Sequence, residues 1–474
     1  MYKKTKIVAT VSDRRCDPEF IRQLFESGMD VVRMNTAHQI ISDSLKIINN
    51  VRAVSDKIAL MLDTKGPEIR TTASDYKIDV KKGNQILFRG DPSKSSTPEC
   101  IYVNYEKFAL EVQPGKKILI DDGEIEFVVV ARRDDALVCM ATNDGVIKGK
   151  KSVNVPEGRL NLPSLNSKDI DYIKFAVEQD IDFIAHSFVR NKQDVVAIQN
   201  LLDERKSRIK IIAKIENQEG VDNLDEILPN VYGVMVARGD LAIEIPYEKI
   251  PGIQKMIINK CIDARKPVIV ATQMLHSMIE NPRPTRAEVS DVANAIYSKV
   301  DAIMLSGETA YGNFPVEAVS TMSKIAQEVE KSRSDIHVTP MLVMSTKTSA
   351  WLSRSAVEAS IELDCKAIIA DTSTGRTIRN MACYRGRKVI FAQCYDKRVV
   401  RELALSFGVY AYHMPEGTTH NFIINALNLL IENKMLDMAD KVVVVGGNFV
   451  WTQSASFIEI STVGNMLELL HKSG

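Results

Sequence analysis

At roughly 150 residues per domain, the 474 residues of this chain correspond to about three domains, which excludes a single small module. Hydrophobic residues are 45% and charged residues 26%, a balance that builds buried cores and excludes a disordered chain. Lysine plus arginine and aspartate plus glutamate both number 61, so no net positive field exists to collect nucleic acid or an anionic membrane, and any anionic ligand needs a local site.

The first ten residues carry Lys3, Lys4 and Lys6 but too short an apolar run for the core of a signal peptide. No stretch approaches ~18 uninterrupted apolar residues, so no membrane span is expected. Residues 6–9 read as a strand. Asp17 then caps a helix with Pro18 at its first position, Phe20, Ile21, Leu24 and Phe25 on one face, and Gly28 closing it. Strands at 31–34 and 58–62 follow, with a second helix between them. From residue 71 short alternating strands at 76–80, 85–88, 118–120, 125–130 and 137–141 lie between Gly, Asp and Pro turns, which predicts a small β domain inserted over 71–155. The strand–helix rhythm resumes with strands at 183–185, 209–215, 232–236, 267–272 and 302–305. Eight β/α units over 1–70 and 156–335 predict an α/β fold of the (β/α)8 TIM-barrel type, whose chemistry sits at the carboxyl ends of the strands. From 346 to 474, strands at 367–370, 389–392 and 441–445 predict a separate C-terminal α/β domain with a mostly parallel sheet. Seven cysteines, odd in number and never spaced C-x-x-C, argue against a disulfide framework or a zinc cluster and for a reducing cytoplasm.

The residues that end the barrel strands are polar: Arg33 and Asn35 after the second, Asp63, Thr64 and Lys65 after the third, Lys214 and Glu216 after the fifth. Arg238 and Asp240 follow the sixth, Thr272 the seventh, and Ser306, Glu308 and Thr309 the eighth. Taken singly, each reads as an ordinary solvated loop charge. Taken together, a polar cluster at nearly every strand end of one face points to function. Lys214 and Glu216 stand at i and i+2, so both side chains project the same way. Glu216 and Asp240 from successive strands suit a hard divalent cation that keeps positions for water and substrate phosphate, and flanking Lys and Arg suit phosphoryl transfer. Gly145–Ser152 imitates a phosphate-binding loop but has one residue too few between its glycines and no helix to follow it, and is rejected as one. His38, His186 and His276 share no ligand spacing and read as structural histidines.

Over nearly its whole length the chain resembles the pyruvate kinase family. The matching stretches are Arg33-Met-Asn35-Thr-Ala-His38, Asp63-Thr-Lys-Gly-Pro-Glu-Ile-Arg70, Ile212-Ala-Lys214-Ile-Glu216-Asn217, Ala237-Arg-Gly-Asp240-Leu, Ala271-Thr272-Gln-Met-Leu, Pro282-Arg-Pro-Thr-Arg-Ala-Glu288 and Met304-Leu-Ser-Gly-Glu308-Thr. The resemblance implies transfer of phosphoryl from phosphoenolpyruvate to ADP, with Mg²⁺ (or Mn²⁺) and K⁺ as cofactors. It implies that Lys214, Arg33 and Thr272 are catalytic, that Lys214 neutralises the moving phosphoryl and that Arg33 holds the phosphate. Thr272 would stand beside the carbon that is protonated, and the backbone of Arg238, Gly239 and Asp240 would meet the substrate carboxylate. Glu216 and Asp240 would ligate Mg²⁺, and Asn35, Asp63 and Thr64 would ligate K⁺, with Glu68 as the residue that accompanies potassium dependence. Arg70, Lys151, His38 and Asn35 would contact the nucleotide. A cytoplasmic homotetramer is implied as well. The chain departs from the family at Ser12-Asp13-Arg14, where a Gly-Pro turn is usual, at Ala37 in place of a potassium-site serine, at His276 and at Val289.

Two other classes compete: a metabolite sensor that keeps the fold without the activity, and a Mg²⁺-dependent aldolase or lyase acting on a keto-acid enolate. The presence of Lys214, Glu216 and Asp240 argues against the first, and the inserted lid with Lys151 argues against the second. In the C-terminal domain Thr372, Ser373, Thr374, Gly375 and Arg376 lie between a strand and a helix, which offers hydroxyls and backbone N–H groups to a phosphorylated effector. The loop Gly446-Gly447-Asn448-Phe449-Val450-Trp451 replaces the glycine-rich closing loop common near the family's C-terminus.

Overall fold

The strands of the N-terminal part are continuous apolar runs, and such runs are stable only where both sheet faces are covered. The computed structural model, which describes residues 2–75, 77–156, 158, 160–332, 347–415, 422–447 and 455–472, shows how they are covered. Eight parallel strands close into a barrel: Lys6–Thr10, Val31–Asn35, Ala59–Asp63, Phe183–His186, Lys210–Ile215, Gly233–Ala237, Val268–Ala271 and Ala302–Leu305. The first strand pairs with both the second and the eighth, which completes the ring.

Side chains alternate across each strand, so one strand feeds two cores. Val8, Val31, Met61, Phe183, Ile212, Met235 and Met304 fill the barrel interior, while Ile7, Val32, Leu60, Ile211 and Val234 face the helices outside. The first helix, Pro18–Glu26, is capped as its sequence predicts, with the Asp17 carboxylate accepting from Phe20 N at 3.0 Å. Gly28 turns the chain with φ +114°, and a Cβ there would stand 2.9 Å from Ser323 Oγ, so the position requires glycine on both counts.

Between the third and fourth barrel strands the chain builds a six-stranded sheet in the order Val153–Asn154, Lys117–Ile120, Ile125–Arg133, Ala136–Ala141, Gln85–Gly90, Cys100–Val103. A separate pair joins Ile78–Val80 to Gly145–Ile147. Phe88 and Phe127 meet edge to face at 5.1 Å in its core. The strand expected over 76–80 begins at Ile78, and Tyr76 lies outside the described residues. Strands 100–103, 145–147 and 153–154 are additions to the expected set: Cys100–Val103 is a short run without polar alternation, and the other two, of three and two residues, are too short to show a period. The segment rejected as a phosphate loop is a strand and a turn.

The C-terminal part holds five strands in the order Val409–His413, Val389–Cys394, Ala367–Thr372, Lys441–Gly447, Ala455–Thr462, all parallel except the last. The three central strands are those expected; the two edge strands carry polar residues that hide their pattern. Residues 333–346, where the expected boundary with the barrel falls, and 448–451 of the C-terminal loop lie outside the described residues. Ion pairs join this part to the barrel. Arg385 grips Asp301 at 2.9 and 2.5 Å, Arg401 reaches Asp182 at 2.6 Å and Asp180 at 2.7 Å, and Arg398 also pairs with Asp180.

Candidate active site

The i, i+2 placement of Lys214 and Glu216 on the fifth strand brings their charged ends to 2.9 Å at the carboxyl end of the barrel. The Lys214 ammonium also lies 3.1 Å from Asp63 Oδ1 and donates to Ser187 Oγ at 2.7 Å. Asp63, 1% exposed, is shared: its Oδ2 accepts from Arg33 Nε at 2.6 Å, and Arg33 donates onward to Thr10 Oγ1 at 3.0 Å. Burial by itself would raise the Asp63 pKa, but Arg33 and then Lys214 outweigh it and hold it below the ordinary carboxylate value. Burial likewise lowers Lys214, yet Asp63 and Glu216 overcome that and raise its pKa, so the ammonium stays charged.

Glu216, completely buried, behaves differently. Desolvation pushes its pKa up to about 7 against the pull of Lys214, and Asp240 adds to the rise. Its Oε2 accepts from Phe188 N at 2.7 Å, whereas its Oε1 has the Lys214 ammonium nearby without hydrogen-bond geometry and no other partner. Two cations, Arg33 and Lys214, thus face three carboxylates, Asp63, Glu216 and Asp240.

Two contributors lie outside the sequence-based set, Ser187 and Phe188. The polar end of the fourth strand, His186-Ser187, was the signal that could have found the first. Ser187 Oγ touches Lys214 Nζ, Asp63 Oδ1 (3.2 Å) and the Thr64 carbonyl (2.7 Å). Phe188 takes φ +56°, unusual for an aromatic residue, and this turn aims its N–H at Glu216. The turn needs Gly66, φ +71°, where a Cβ would stand 2.9 Å from Ser187 Cβ. His186, read as structural, is buried beside the cluster with Nδ1 3.4 Å from Thr64 Oγ1. Desolvation lowers its pKa to about 4, so it is neutral.

Thr272 ends the seventh strand in the left-handed region, φ +71°, followed by Gln273 at +54°. A β-branched residue there costs on the order of 1–3 kcal/mol and persists only where its surroundings hold it. Here the hydroxyl donates to Ala271 O at 2.6 Å and accepts from Gly239 N at 2.8 Å. Arg238 closes the same corner, donating to Thr272 O at 2.8 Å and pairing with Asp291 at 2.7 Å. Thr272, Arg238, Gly239 and Asp240 therefore form one connected wall. Asp291, on the helix Arg286–Tyr297, was invisible in the sequence, since only the fold brings that helix beside Arg238.

The remaining predicted residues lie further out. Asn35 Oδ1 accepts from Ala37 N at 3.1 Å, and register places Asn35 beside Asp63. His38 is exposed. Arg70 pairs with Glu68 at 2.5 Å and donates to Lys150 O at 2.7 Å; Lys151 pairs with Asp121 at 2.6 Å. Both stay within the inserted sheet and its stem and do not touch the Lys214 cluster. A cleft of about 300 Å³ separates the insert from the barrel mouth, with Glu68, Ser152 and Asn154 on one side and Phe188, Asn217 and Asp240 on the other. In the C-terminal domain Gly375 (φ +73°) opens the helix Arg376–Cys383 without a side-chain cap. Thr372 Oγ1 accepts from Gly375 N at 2.8 Å, while Ser373, Thr374 and Arg376 are exposed.

Comparison with known proteins bears on what this arrangement does. Residues 2–319 match the family described as pyruvate kinase, barrel domain, and residues 351–461 match pyruvate kinase, alpha/beta domain. The chain is 47% identical over 472 residues to a pyruvate kinase of Borreliella burgdorferi, covering 98% of both chains. It is 41% identical to one of Geobacillus stearothermophilus, covering 98% of this chain and 81% of the relative. A crystal structure of a pyruvate kinase from Cryptosporidium parvum superposes with a TM-score of 0.90 at 36% identity, covering 97% of this chain and 96% of that one. With the converged lysine, arginine and carboxylates at the barrel mouth, these likenesses show that the chain belongs to the pyruvate kinase family, enzymes that transfer the phosphoryl group of phosphoenolpyruvate to ADP.

Proposed function

We propose that the cluster around Lys214 carries this phosphoryl transfer. The observation that supports the reading best is the buried ammonium of Lys214, held between Asp63 and Glu216 with Arg33 alongside. A phosphoryl group in transit spreads charge over its equatorial oxygens, and fixed cations in a water-poor site stabilise that charge without reorganising. Arg33, oriented through Nε by Asp63, binds the phosphate with its remaining N–H groups. Lys214 follows the phosphoryl as it moves to ADP. Thr272, held at the end of the seventh strand, orients the proton delivered to the carbon left behind, and the backbone of Arg238, Gly239 and Asp240 receives the substrate carboxylate.

Enzymes of the family need a divalent metal and potassium. Among the described residues no group of three or more His, Cys, Asp or Glu side chains forms a ready-made cage. Glu216 and Asp240 nevertheless fit Mg²⁺ (or Mn²⁺), because a buried carboxylate oxygen without a hydrogen-bond donor and an excess of carboxylate over cation are what a hard ion completes. When bound, Mg²⁺ supplies positive charge to the phosphoryl oxygens. The oxygens of Asn35, Asp63 and Thr64 form a hard donor set suited to K⁺, although the Asp63 carbonyl and Thr64 hydroxyl already accept hydrogen bonds.

Ala37 offers no hydroxyl to that set, so K⁺ activation is expected with a higher half-saturating concentration than in an Ala37→Ser variant. Glu68→Lys should relieve the requirement, since a tethered ammonium replaces the ion's charge. Rate against KCl at constant ionic strength, balanced by a bulky non-activating cation, checks both expectations. Full activity of the parent without K⁺ would sink the potassium assignment.

Ser187 positions Lys214. Removing a hydrogen bond to a charged group costs about 1.5–3 kcal/mol, so Ser187→Ala is expected to lower kcat about tenfold or more with little change in KM. Steady-state kinetics beside a thermal melt distinguish this from misfolding; an unchanged kcat would remove the role.

Arg70, Lys151, His38 and Asn35 are proposed as nucleotide contacts, supported for Arg70 and Lys151 by their chain neighbours Ile69 and Ser152, which line the cleft, and for His38 and Asn35 by the family resemblance. For Lys151 this requires release from Asp121 as ADP binds. The uncapped start of the helix at Arg376, with Thr372, Ser373, Thr374, Gly375 and Arg376, is proposed as a site for a phosphorylated effector. Calorimetry with sugar phosphates and AMP tests it, and binding unaffected by Thr372→Ala with Ser373→Ala would count against it. A homotetramer in the cytoplasm completes the reading, supported by the family and by seven buried cysteines, none of them in a disulfide. No helix among the described residues is long and apolar enough to cross a membrane. A coupled assay with phosphoenolpyruvate and ADP, with and without Mg²⁺, tests the activity directly.

A further inference from the structure

The first barrel strand, Lys6–Thr10, ends on a buried hydroxyl. Thr10 stands two residues after Val8, so its side chain projects to the same, inner side of the barrel, and the residue is 5% exposed. Valine is nearly isosteric and would be buried there without loss, whereas a hydroxyl taken out of water needs partners.

Both hydrogen-bonding capacities of this hydroxyl are used. Its Oγ1 lies 2.9 Å from the carbonyl of Leu305, the last residue of the eighth strand, and 3.0 Å from Arg33 Nη1 on the second. A carbonyl only accepts and a guanidinium only donates, so the directions are fixed: the hydroxyl gives its proton to Leu305 O and turns a lone pair toward Arg33. Register sets the same two residues side by side, Thr10 against Arg33.

For Arg33 this contact is the second of two. Asp63 Oδ2 takes its Nε at 2.6 Å, and a planar group held at one atom still swings about that atom. Held at both Nε and Nη1, from the third and the first strand, the guanidinium has its plane set, and with it the direction of the N–H groups that remain.

We propose that Thr10 is a positioning residue for the substrate phosphate: anchored on the end of the eighth strand, it sets the plane in which Arg33 meets phosphoenolpyruvate. This rests on the reading of Arg33 as the holder of the phosphate, and adds that the arginine is aimed by a neutral hydroxyl as well as by Asp63. Because the hydroxyl is uncharged, its loss leaves the net charge of the site intact and changes only the aim.

The test separates a ligand with a phosphate from one without. Thr10→Val is expected to lower kcat/KM for phosphoenolpyruvate about ten- to a hundredfold, the usual effect of losing one hydrogen bond to a charged group, with melting unchanged. Inhibition by oxalate, a dianion with carboxylates and no phosphate, should stay as in the parent. Thr10→Ser, which keeps the hydroxyl, should restore kcat/KM. In an Arg33→Ala background Thr10→Val should have no further effect, since a residue that acts through Arg33 then has nothing to aim. A parental kcat/KM in Thr10→Val overturns the proposal. So do equal losses toward phosphoenolpyruvate and oxalate, or an undiminished effect of Thr10→Val in the Arg33→Ala background. Arg33→Ala alone tests the underlying reading: a parental kcat/KM there would mean that Arg33 does not hold the phosphate, whereas a lowered one beside an unaffected Thr10→Val removes only the role of Thr10. If Thr10→Val does not fold, Thr10→Ala decides by the same comparisons.

Discussion

Lys214→Met is expected to give a folded protein whose turnover is lower by at least on the order of 10²- to 10³-fold, the usual cost of removing one preorganised electrostatic donor from a water-poor site. Structure makes the expectation specific. The ammonium has three partners, Asp63, Glu216 and Ser187, and methionine supplies comparable length with no charge. Breaking a buried ion pair by deleting one member typically costs about 3–5 kcal/mol, but Asp63 keeps its 2.6 Å contact with Arg33. Glu216, whose pKa is already pushed up to about 7, can take a proton once the ammonium is gone. Loss of stability should therefore be smaller than loss of rate. Steady-state kinetics with calorimetric melting of the same preparation checks both, and a near-normal kcat would end the assignment of Lys214 to the transferring group.

The second large effect concerns Glu216→Gln and Asp240→Asn. Each substitution keeps shape and removes a negative charge, so the Mg²⁺ concentration for half-maximal rate should rise and the rate at saturation should fall, by at least the ~10- to 100-fold that losing a mere outer-shell partner of a metal ligand costs. Mn²⁺ binding followed by its paramagnetic resonance, without substrate, reads the same site apart from activity and should weaken in both variants. Glu216→Gln also puts an amide where Phe188 N now donates to a carboxylate. The amide oxygen still accepts that hydrogen bond, so the loop after the fourth strand should hold. If both variants keep the parent's Mg²⁺ titration and Mn²⁺ affinity, the metal ligands lie elsewhere.

Much of this is legible in the chain alone, for identifiable reasons. The barrel strands are buried on both faces, which forces unbroken apolar runs such as Ile211–Ala213 and Val234–Val236, and these stand out between helices of a different period. Lys214 and Glu216 are paired by alternation along one strand, a relation local to three residues. The helix cap at Asp17 is equally local. What is not legible depends on distant chain. The edge strand Ala455–Thr462 is largely half-buried and keeps only a faint alternation until its neighbour Lys441–Gly447 orders it. Cys100–Val103 shows no polar alternation, and Val153–Asn154 is too short to carry a period at all.

Sequence by itself determined which residues are available at the strand ends, their charges, and the order in which the barrel presents them. It also established the family resemblance, because the motifs around Arg33, Asp63, Lys214, Asp240 and Thr272 are contiguous in the chain. Only the tertiary structure decided which polar groups pair: Arg33 with Asp63 across 30 positions, Ser187 with Asp63 across 124, Arg238 with Asp291 across 53, and Arg385 with Asp301 across 84. It also decided that Thr272 and Phe188 adopt left-handed backbone, and that Glu216 is driven toward neutrality while Asp63, also buried, remains ionised. The physical reason is that desolvation and Coulomb attraction act over a few ångströms of space and are indifferent to separation along the chain, so their balance at each carboxylate exists only once the barrel has closed.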